Sequence, residues 1–317
     1  MDKQNSEAKG QSAGSDETGF NSIQLPAGIR SRYVNNNNDL QMHILEAGYE
    51  GKGSRPCVLL LHGFPEIAYS WRKIMPLLSE AGYYVVAPAQ RGYGRTTGWD
   101  PDYDGDIGPF RLLNVARDAL ALVFALGYKS VSAVIGHDFG SPVAAVCSLI
   151  RPDVFRSVAL MSAPYAGMPQ YPFDTADKEM DQAQAPNKEL PVTMDEALAS
   201  LPKPRKHYQH YYSTREANND MLNAPQGLHN FMRAYLHGKS GDWKQNKPFA
   251  LKEASAEMLS KLPTYYIMDL DKGMAETTAE YMPTQAEIDA CQWLSDEELK
   301  VYVDEYAITG FQGGLNW

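Results

Sequence analysis

The stretch Ile135-Gly136-His137-Asp138-Phe139-Gly140-Ser141 limits the fold of this chain more than any other feature. Ahead of the turn, Val131 to Ile135 is apolar except for Ser132 and reads as a buried parallel strand. Behind it, Pro142 to Val146 opens a helix, where a proline near the first turn sacrifices no intrahelical bond. Gly136 and Gly140 bracket Asp138, so the turn is too sharp for flanking side chains and the middle residue projects alone. Strand, glycine-flanked turn and helix are the context of a nucleophile elbow. The residue at its tip is an aspartate, where serine is more common. A carboxylate attacks at neutral pH without first losing a proton, and it can displace a leaving group from saturated carbon to give an ester. Taken alone, the same residues also fit an Asx turn or a helix-capping aspartate.

A length of 317 residues holds one large α/β domain with an insertion, or two domains. The formal net charge of -10, from 29 basic and 39 acidic residues, argues against nucleic-acid or anionic-membrane partners. Cys57, Cys147 and Cys291 are too widely spaced for a disulfide framework or a zinc pattern, so a reducing, cytoplasmic setting is expected. Nothing in the motifs calls for a metal or another cofactor. Met1 to Gly19 is polar, without the apolar core of a secretory signal, and no stretch approaches membrane-spanning length. A disordered tail is expected over residues 1–27.

Beyond the tail, Ile29 to Val34 and Leu40 to Leu45 read as strands joined at Asn35-Asn36-Asn37-Asn38, since asparagine tolerates left-handed angles. Cys57 to Leu61 is an unbroken apolar strand. Ser70 is expected to cap a helix with Trp71, Ile74, Leu77 and Leu78 on its inner face, stopped by Gly82. A strand over Tyr83 to Ala87, a helix near Leu112 to Leu126, the elbow, and a strand over Ser157 to Met161 follow. Strands alternating with helices predict an α/β fold with a mostly parallel sheet and a site at its carboxyl edge.

His62-Gly63-Phe64-Pro65 ends the Cys57–Leu61 strand, where a backbone N–H can face the elbow. The N–H groups of Phe64 and Phe139 would together form an oxyanion hole, with His62, Gly63, Pro65 and His137 shaping the site. In isolation the segment fits an ordinary β-to-α turn with a structurally bonded His62. With Glu66, with Tyr69-Ser70-Trp71-Arg72, with Arg91-Gly92-Tyr93-Gly94 and with the Asp138 elbow, it resembles the soluble epoxide hydrolases. These belong to the α/β-hydrolase superfamily beside the haloalkane and haloacetate dehalogenases. The resemblance runs from Gly28 to the last residue and implies a cis Phe64-Pro65 bond. Ala89 departs from the aspartate frequent in relatives, and Phe139 from their usual tryptophan. Because the Phe139 ring has no donor for a departing halide, a small apolar epoxide is the expected substrate and dehalogenation the competing reading.

After Met161 the alternation stops, and Tyr165 to Ile308 is mostly polar and helical. The resemblance implies a lid here, inserted after the sixth strand. Tyr208, in Tyr208-Gln209-His210-Tyr211-Tyr212, matches the first lid tyrosine, which polarises and protonates the epoxide oxygen. Thr309 to Trp317 resembles the motif that closes the lid, in which a second tyrosine follows the tryptophan. The second tyrosine, the last sheet strands, and the acid and histidine that complete the family's machinery have no counterpart. Pro263 to Met268, with Asp269 and Asp271, is read as lid with two surface carboxylates rather than as a late strand with its acid. The expected division is 28–164 for the amino-terminal part of the core and 165–317 for the lid and the start of its return. The chain is thus expected to be the amino-terminal two-thirds of an epoxide hydrolase, lacking the histidine needed for turnover. A non-catalytic binding protein that keeps the lid cavity is the competing class. The strand at Ser157 to Met161 is left as an open edge, available for self-association.

Overall fold

A computed structural model describes residues 25–165, 167 and 193–317. The expected tail therefore lies outside the described residues up to residue 24, and Leu25 already packs against the core. Among the described residues, one sheet contains β1 (Ile29–Asn35), β2 (Gln41–Ala47), β3 (Cys57–Leu61), β4 (Tyr84–Pro88), β5 (Ala133–His137) and β6 (Val158–Met161). Their spatial order is β1-β2-β4-β3-β5-β6. The β1 and β2 strands form an antiparallel edge, and β4, β3, β5 and β6 run parallel. The asparagine turn joins β1 to β2 with Asn37 at φ 56°.

Every residue of β3 and β4 is buried, as a strand covered on both faces requires. Alternate residues serve opposite faces. Val58, Leu60, Val85 and Ala87 join the cluster that contains Trp71 and Met75. Leu59, Leu61 and Val86 join the other, against helices α2 (Leu112–Ala125) and α3 (Gly140–Ile150). From β3 the chain crosses to β4 on one side, then returns past β3 to β5 and β6 on the other. The reversal falls between β3 and β5, and such switch points hold the ligand sites of open α/β sheets.

Two local expectations change. The region after Ser70 is a 3-10 turn over Ala68–Lys73 followed by the short helix α1 (Met75–Glu80). Ser70 caps neither element but bonds the Tyr302 hydroxyl at 2.9 Å, while Ile74 and Leu77 point to solvent. Trp71 and Leu78 pack inward as expected, but the break between the two elements turns Met75 in and leaves Ile74 and Leu77 out. The elbow strand also runs two residues later than its apolar run. Its ladder is set by β3, with Val58 opposite Ala133 and Leu61 opposite Gly136, so it reaches the elbow without an intervening loop.

The remaining described segment is mostly helical: α4 (Met194–Ala199), α5 (Tyr208–Tyr212), α6 (Glu216–Leu222), α7 (Leu228–Gly238), α8 (Ala256–Leu259), α9 (Met274–Ala279), α10 (Gln285–Ala290), α11 (Asp296–Thr309) and α12 (Gln312–Leu315). Capping boxes start three of them, Thr193 with Glu196, Thr284 with Glu287 and Ser295 with Glu298. The short strands β7 (Arg205–His207) and β8 (Ile267–Asp269) pair with each other, apart from the main sheet. The Pro263–Asp269 segment is therefore not a late strand of the core. Asp269 is not a bare surface carboxylate either, since Arg205 and Lys203 lie 2.6 and 2.9 Å from it. On the core side, α11 docks through the buried Arg95–Glu305 pair at 2.9 Å and through Arg72–Glu298. One apolar cluster runs through both regions, joining Leu60 and Trp71 to Phe231, Tyr302 and Phe311. Among the described residues, no helix is long and apolar enough to cross a membrane.

Candidate active site

Because β3 and β5 are hydrogen-bonded neighbours, the residues that follow them meet at the carboxyl edge of the sheet. Only Asp138 and Phe139 separate β5 from α3. Asp138 takes a left-handed backbone, φ 52°, which costs an L-residue free energy and is held by its surroundings. Those surroundings are packed backbone to backbone. A Cβ on Gly136 would lie 2.0 Å from the Gly140 carbonyl oxygen, and one on Gly63 2.4 Å from the Asp138 Cβ. The elbow can fold only where these side chains are absent.

The Phe64 N–H donates to Asp138 Oδ1 at 3.0 Å. Phe139 is the N-cap residue of α3, whose first amides have no intrahelical acceptor, and the helix dipole there favours the adjacent carboxylate. The Phe64-Pro65 peptide is cis. His62 is fully buried one layer behind: its Nδ1 meets the Gly63 carbonyl at 3.0 Å and its Nε2 accepts the Gln90 N–H at 3.2 Å. Burial lowers its pKa to about 4, so it is a neutral brace between two loops. Ala89 is buried, and the turn after it is held by Arg91 on Asp118 at 2.7 and 2.8 Å. His137 meets Glu66 at 2.5 Å, and that bond raises the histidine pKa against the opposing effect of burial.

Above the elbow is a cavity of about 300 Å³. Phe64, Asp138 and Phe139 form its core wall, and Tyr208, Gln209, Tyr212, Tyr235 and Lys239 its lid wall. Gly314, Leu315 and Trp317 close one side. This closing segment sits tightly on the core: a Cβ on Gly92, at φ 87°, would lie 2.4 Å from the Gly313 carbonyl oxygen. The Trp317 indole N–H donates to the Arg91 carbonyl at 2.9 Å.

Tyr208 begins α5, its N–H donating to the Tyr266 carbonyl at 2.9 Å and its ring edge-on to Tyr212 and Tyr266. Burial first, then the Asp138 charge and Tyr266, pushes its phenol up to about 12. The hydroxyls of Tyr212 and Tyr235 bond each other at 2.8 Å. Lys239 points its ammonium among aromatic rings, and burial brings its pKa down to about 8 against the pull of Asp138 and Glu66.

The structure thus gathers Asp138, Phe64, Phe139 and Tyr208 around one cavity, with His62, Gly63 and Pro65 in the loop after β3 and His137 at the end of β5. His207, His210, His229 and His237 stay off the cavity; His207 caps α5 by accepting the Gln209 N–H. Tyr235, Lys239 and the His137–Glu66 pair went unassigned in the sequence reading. For Lys239 a signal existed, since Phe231, Tyr235 and Lys239 recur every four residues, the first two on the inward face of α7 and Lys239 as its C-cap. Among the described residues, no three His, Cys, Asp or Glu side chains gather to hold a metal ion.

Residues 56–304 match the family model described as alpha/beta hydrolase fold. Epoxide hydrolase A of Mycobacterium tuberculosis is 30% identical over 280 residues, which cover 88% of this chain and 70% of the relative. Among solved structures, an epoxide hydrolase from an endophytic Streptomyces superposes with a TM-score of 0.66 at 27% identity, covering 92% of this chain and 71% of its own. Potato (Solanum tuberosum) epoxide hydrolase I gives a TM-score of 0.61 at 26% identity, covering 91% and 72%.

Proposed function

This chain belongs to the epoxide hydrolases of the α/β-hydrolase superfamily, and on that premise we propose that Asp138 opens a small apolar epoxide through an alkyl-enzyme ester. Residues 28–164 supply the core part of the machinery and 165–317 the lid and its return. The reading is carried by the Asp138 carboxylate, held at a glycine-closed elbow with one oxygen on the Phe64 N–H, in a cavity it shares with Tyr208. One carboxylate oxygen attacks an epoxide carbon while the bond from that carbon to the ring oxygen breaks. The Tyr208 phenol, pushed up to about 12, is protonated at neutral pH like any phenol; it polarises the ring oxygen by a hydrogen bond, and that oxygen takes up one proton as the bond breaks. When water later attacks the ester carbonyl, the N–H groups of Phe64 and Phe139 form the oxyanion hole.

Epoxides are preferred to alkyl halides because Tyr208 presents a hydroxyl to the cavity for an epoxide oxygen, while Phe139, also on the cavity wall, adds no side-chain donor for a departing halide. Hydrolysis of the ester needs a base, and among the described residues no histidine lines the cavity. For the 317-residue chain the expected outcome is a slow reaction of at most one turnover. It is read as an intact-mass gain of one epoxide, mapped to Asp138 and abolished by Asp138→Ala. Sustained diol production by this chain, or an adduct that survives Asp138→Ala, overturns the reading.

A further inference from the structure

Lys239 follows the last residue of α7, and its ammonium ends among four tyrosine rings. Their centroids are 4.7 Å (Tyr235), 4.8 Å (Tyr266), 5.2 Å (Tyr265) and 5.9 Å (Tyr208) away. Ring faces attract an ammonium but accept none of its three hydrogen bonds as water would. Among the described residues, Lys239 has no carboxylate within 4.0 Å and no hydrogen-bond acceptor. Lys239 is only partly buried, so its ammonium opens onto the cavity and finds its hydrogen-bond partners in cavity water or in a bound ligand. Since Lys239 lies on the cavity wall with Asp138 and Tyr208, the missing acceptor can arrive with the ligand.

We propose that Lys239 is a catalytic residue of epoxide opening: its ammonium stabilises the departing ring oxygen and gives it the proton it takes up, while Tyr208 holds that oxygen by a hydrogen bond. The proposal rests on Asp138 as nucleophile and completes the charge balance of its attack. As Asp138 forms its bond to carbon, the broken carbon–oxygen bond leaves its electron pair on oxygen. That oxygen takes one proton from Lys239. The cavity begins with one anion and one cation and ends with a neutral ester, hydroxyl and amine. The cation already stands where negative charge develops, the arrangement most effective in a water-poor site. Of the two donors, the Lys239 ammonium at about 8 is a stronger acid than the Tyr208 phenol at about 12.

The titratable groups facing Lys239 are Asp138 on the elbow, the His137–Glu66 pair beside it, and the phenols of Tyr208, Tyr235, Tyr265 and Tyr266. Lys239 must be protonated to act, so ester formation should be fast below about pH 8 and fall above it. The test is rapid-quench intact mass of the full chain with styrene oxide across this range. Lys239→Met keeps an unbranched apolar stem among the rings and should slow adduct formation about 10²-fold and erase the alkaline fall. Lys239→Arg keeps the charge and should move the fall to higher pH. A Lys239→Met protein with wild-type rate and an unchanged fall near pH 8 overturns the proposal; loss of the adduct in Asp138→Ala would then leave the nucleophile assignment standing. If Lys239→Met does not fold, a Lys239→Arg protein whose fall stays near pH 8 overturns it equally. A wild-type chain that forms no adduct overturns both assignments.

Discussion

Asp138 and Lys239 face one cavity from opposite walls, and the chain fixes them by different means. On the core wall the constraint is backbone. Positions 63, 136 and 140 have no room for a Cβ, and Asp138 is held at φ 52° by the strand and helix it joins. On the lid wall the constraint is side-chain packing. Tyr208, Tyr212, Tyr235, Tyr265 and Tyr266 come from three separate segments; ring edges join Tyr208 to Tyr212 and Tyr266 and Tyr265 to Tyr266, and a hydroxyl bond joins Tyr212 to Tyr235. Steric constraints of the first kind admit almost no substitution. Packing of the second kind tolerates exchange of one apolar body for another. The core wall should therefore fail as a unit, and the lid wall should lose chemistry one group at a time.

The largest effect should come from Gly136→Ala. Its Cβ would meet backbone at Gly140, where no flexible side chain can yield, so the elbow must shift away from β5. A loss of about 3 kcal/mol or more in unfolding free energy is expected, together with loss of the Asp138 adduct. Urea denaturation and intact mass measure the two. Wild-type stability with a normal adduct would show that the core wall is as pliable as the lid.

The second effect is acid lability located in the core. His43 and His62 are buried and neutral, each with its pKa lowered to about 4 by burial, with Arg95 adding to the effect on His43. Between about pH 6.5 and about pH 4 the unfolded chain binds these protons and the folded chain does not, so stability falls as pH falls. The expected loss is about 1.4 kcal/mol per histidine per pH unit in that window. Melting temperatures at pH 7 and pH 5 should diverge, and less so in His62→Gln. Equal melting at both would mean that the core histidines are protonated or exposed.

The same contrast explains what was legible beforehand. Gly136, Asp138 and Gly140 lie within five residues because one sharp turn needs them all, so sequence alone locates the elbow. The Phe64 N–H was legible for a similar reason, as it follows a strand paired with β5. Tyr208 was found only through resemblance, because a phenol in an aromatic segment looks like packing. Tyr235 and Lys239 were missed although they stand four residues apart, on α7 and at its C-cap. Nothing local distinguishes a lysine that snorkels to water from one whose ammonium is enclosed by rings from elsewhere in the chain. The helix expected after Ser70 failed differently, since its spacing put Ile74 and Leu77 inside with Trp71 and Leu78, and the helical run breaks at Ile74 and leaves those two exposed.

On the lid wall, Tyr208→Phe should slow adduct formation about 10²-fold at pH 7, since it deletes one donor to the ring oxygen. Stability should hardly change, because the ring keeps its edge contacts with Tyr212 and Tyr266. Stopped-time mass measurement beside a thermal melt separates the two. Undiminished epoxide opening would remove Tyr208 from the mechanism, and a large stability loss would mean that the lid wall is as rigidly specified as the elbow.

The smallest effect concerns the two edges of the sheet. At one edge, β1 carries Arg30 and Arg32, both paired with Glu46 on β2, and charged edges of this kind resist pairing with another chain. At the other, all four residues of β6 are exposed, with Val158 44%, Leu160 41% and Met161 43% accessible. Among the described residues no strand pairs with the outer edge of β6. We expect the 317-residue chain to self-associate through β6. A lysine there costs little in the folded monomer but must be desolvated when two edges meet. Leu160→Lys should therefore weaken association by about tenfold, roughly 1.4 kcal/mol, while an Arg32→Lys change on β1 leaves it unaltered. Sedimentation across a concentration series reads both. A unit-mass monomer at all concentrations for the unsubstituted chain, or association that ignores Leu160→Lys, would show that the contrast between the edges has no consequence in solution.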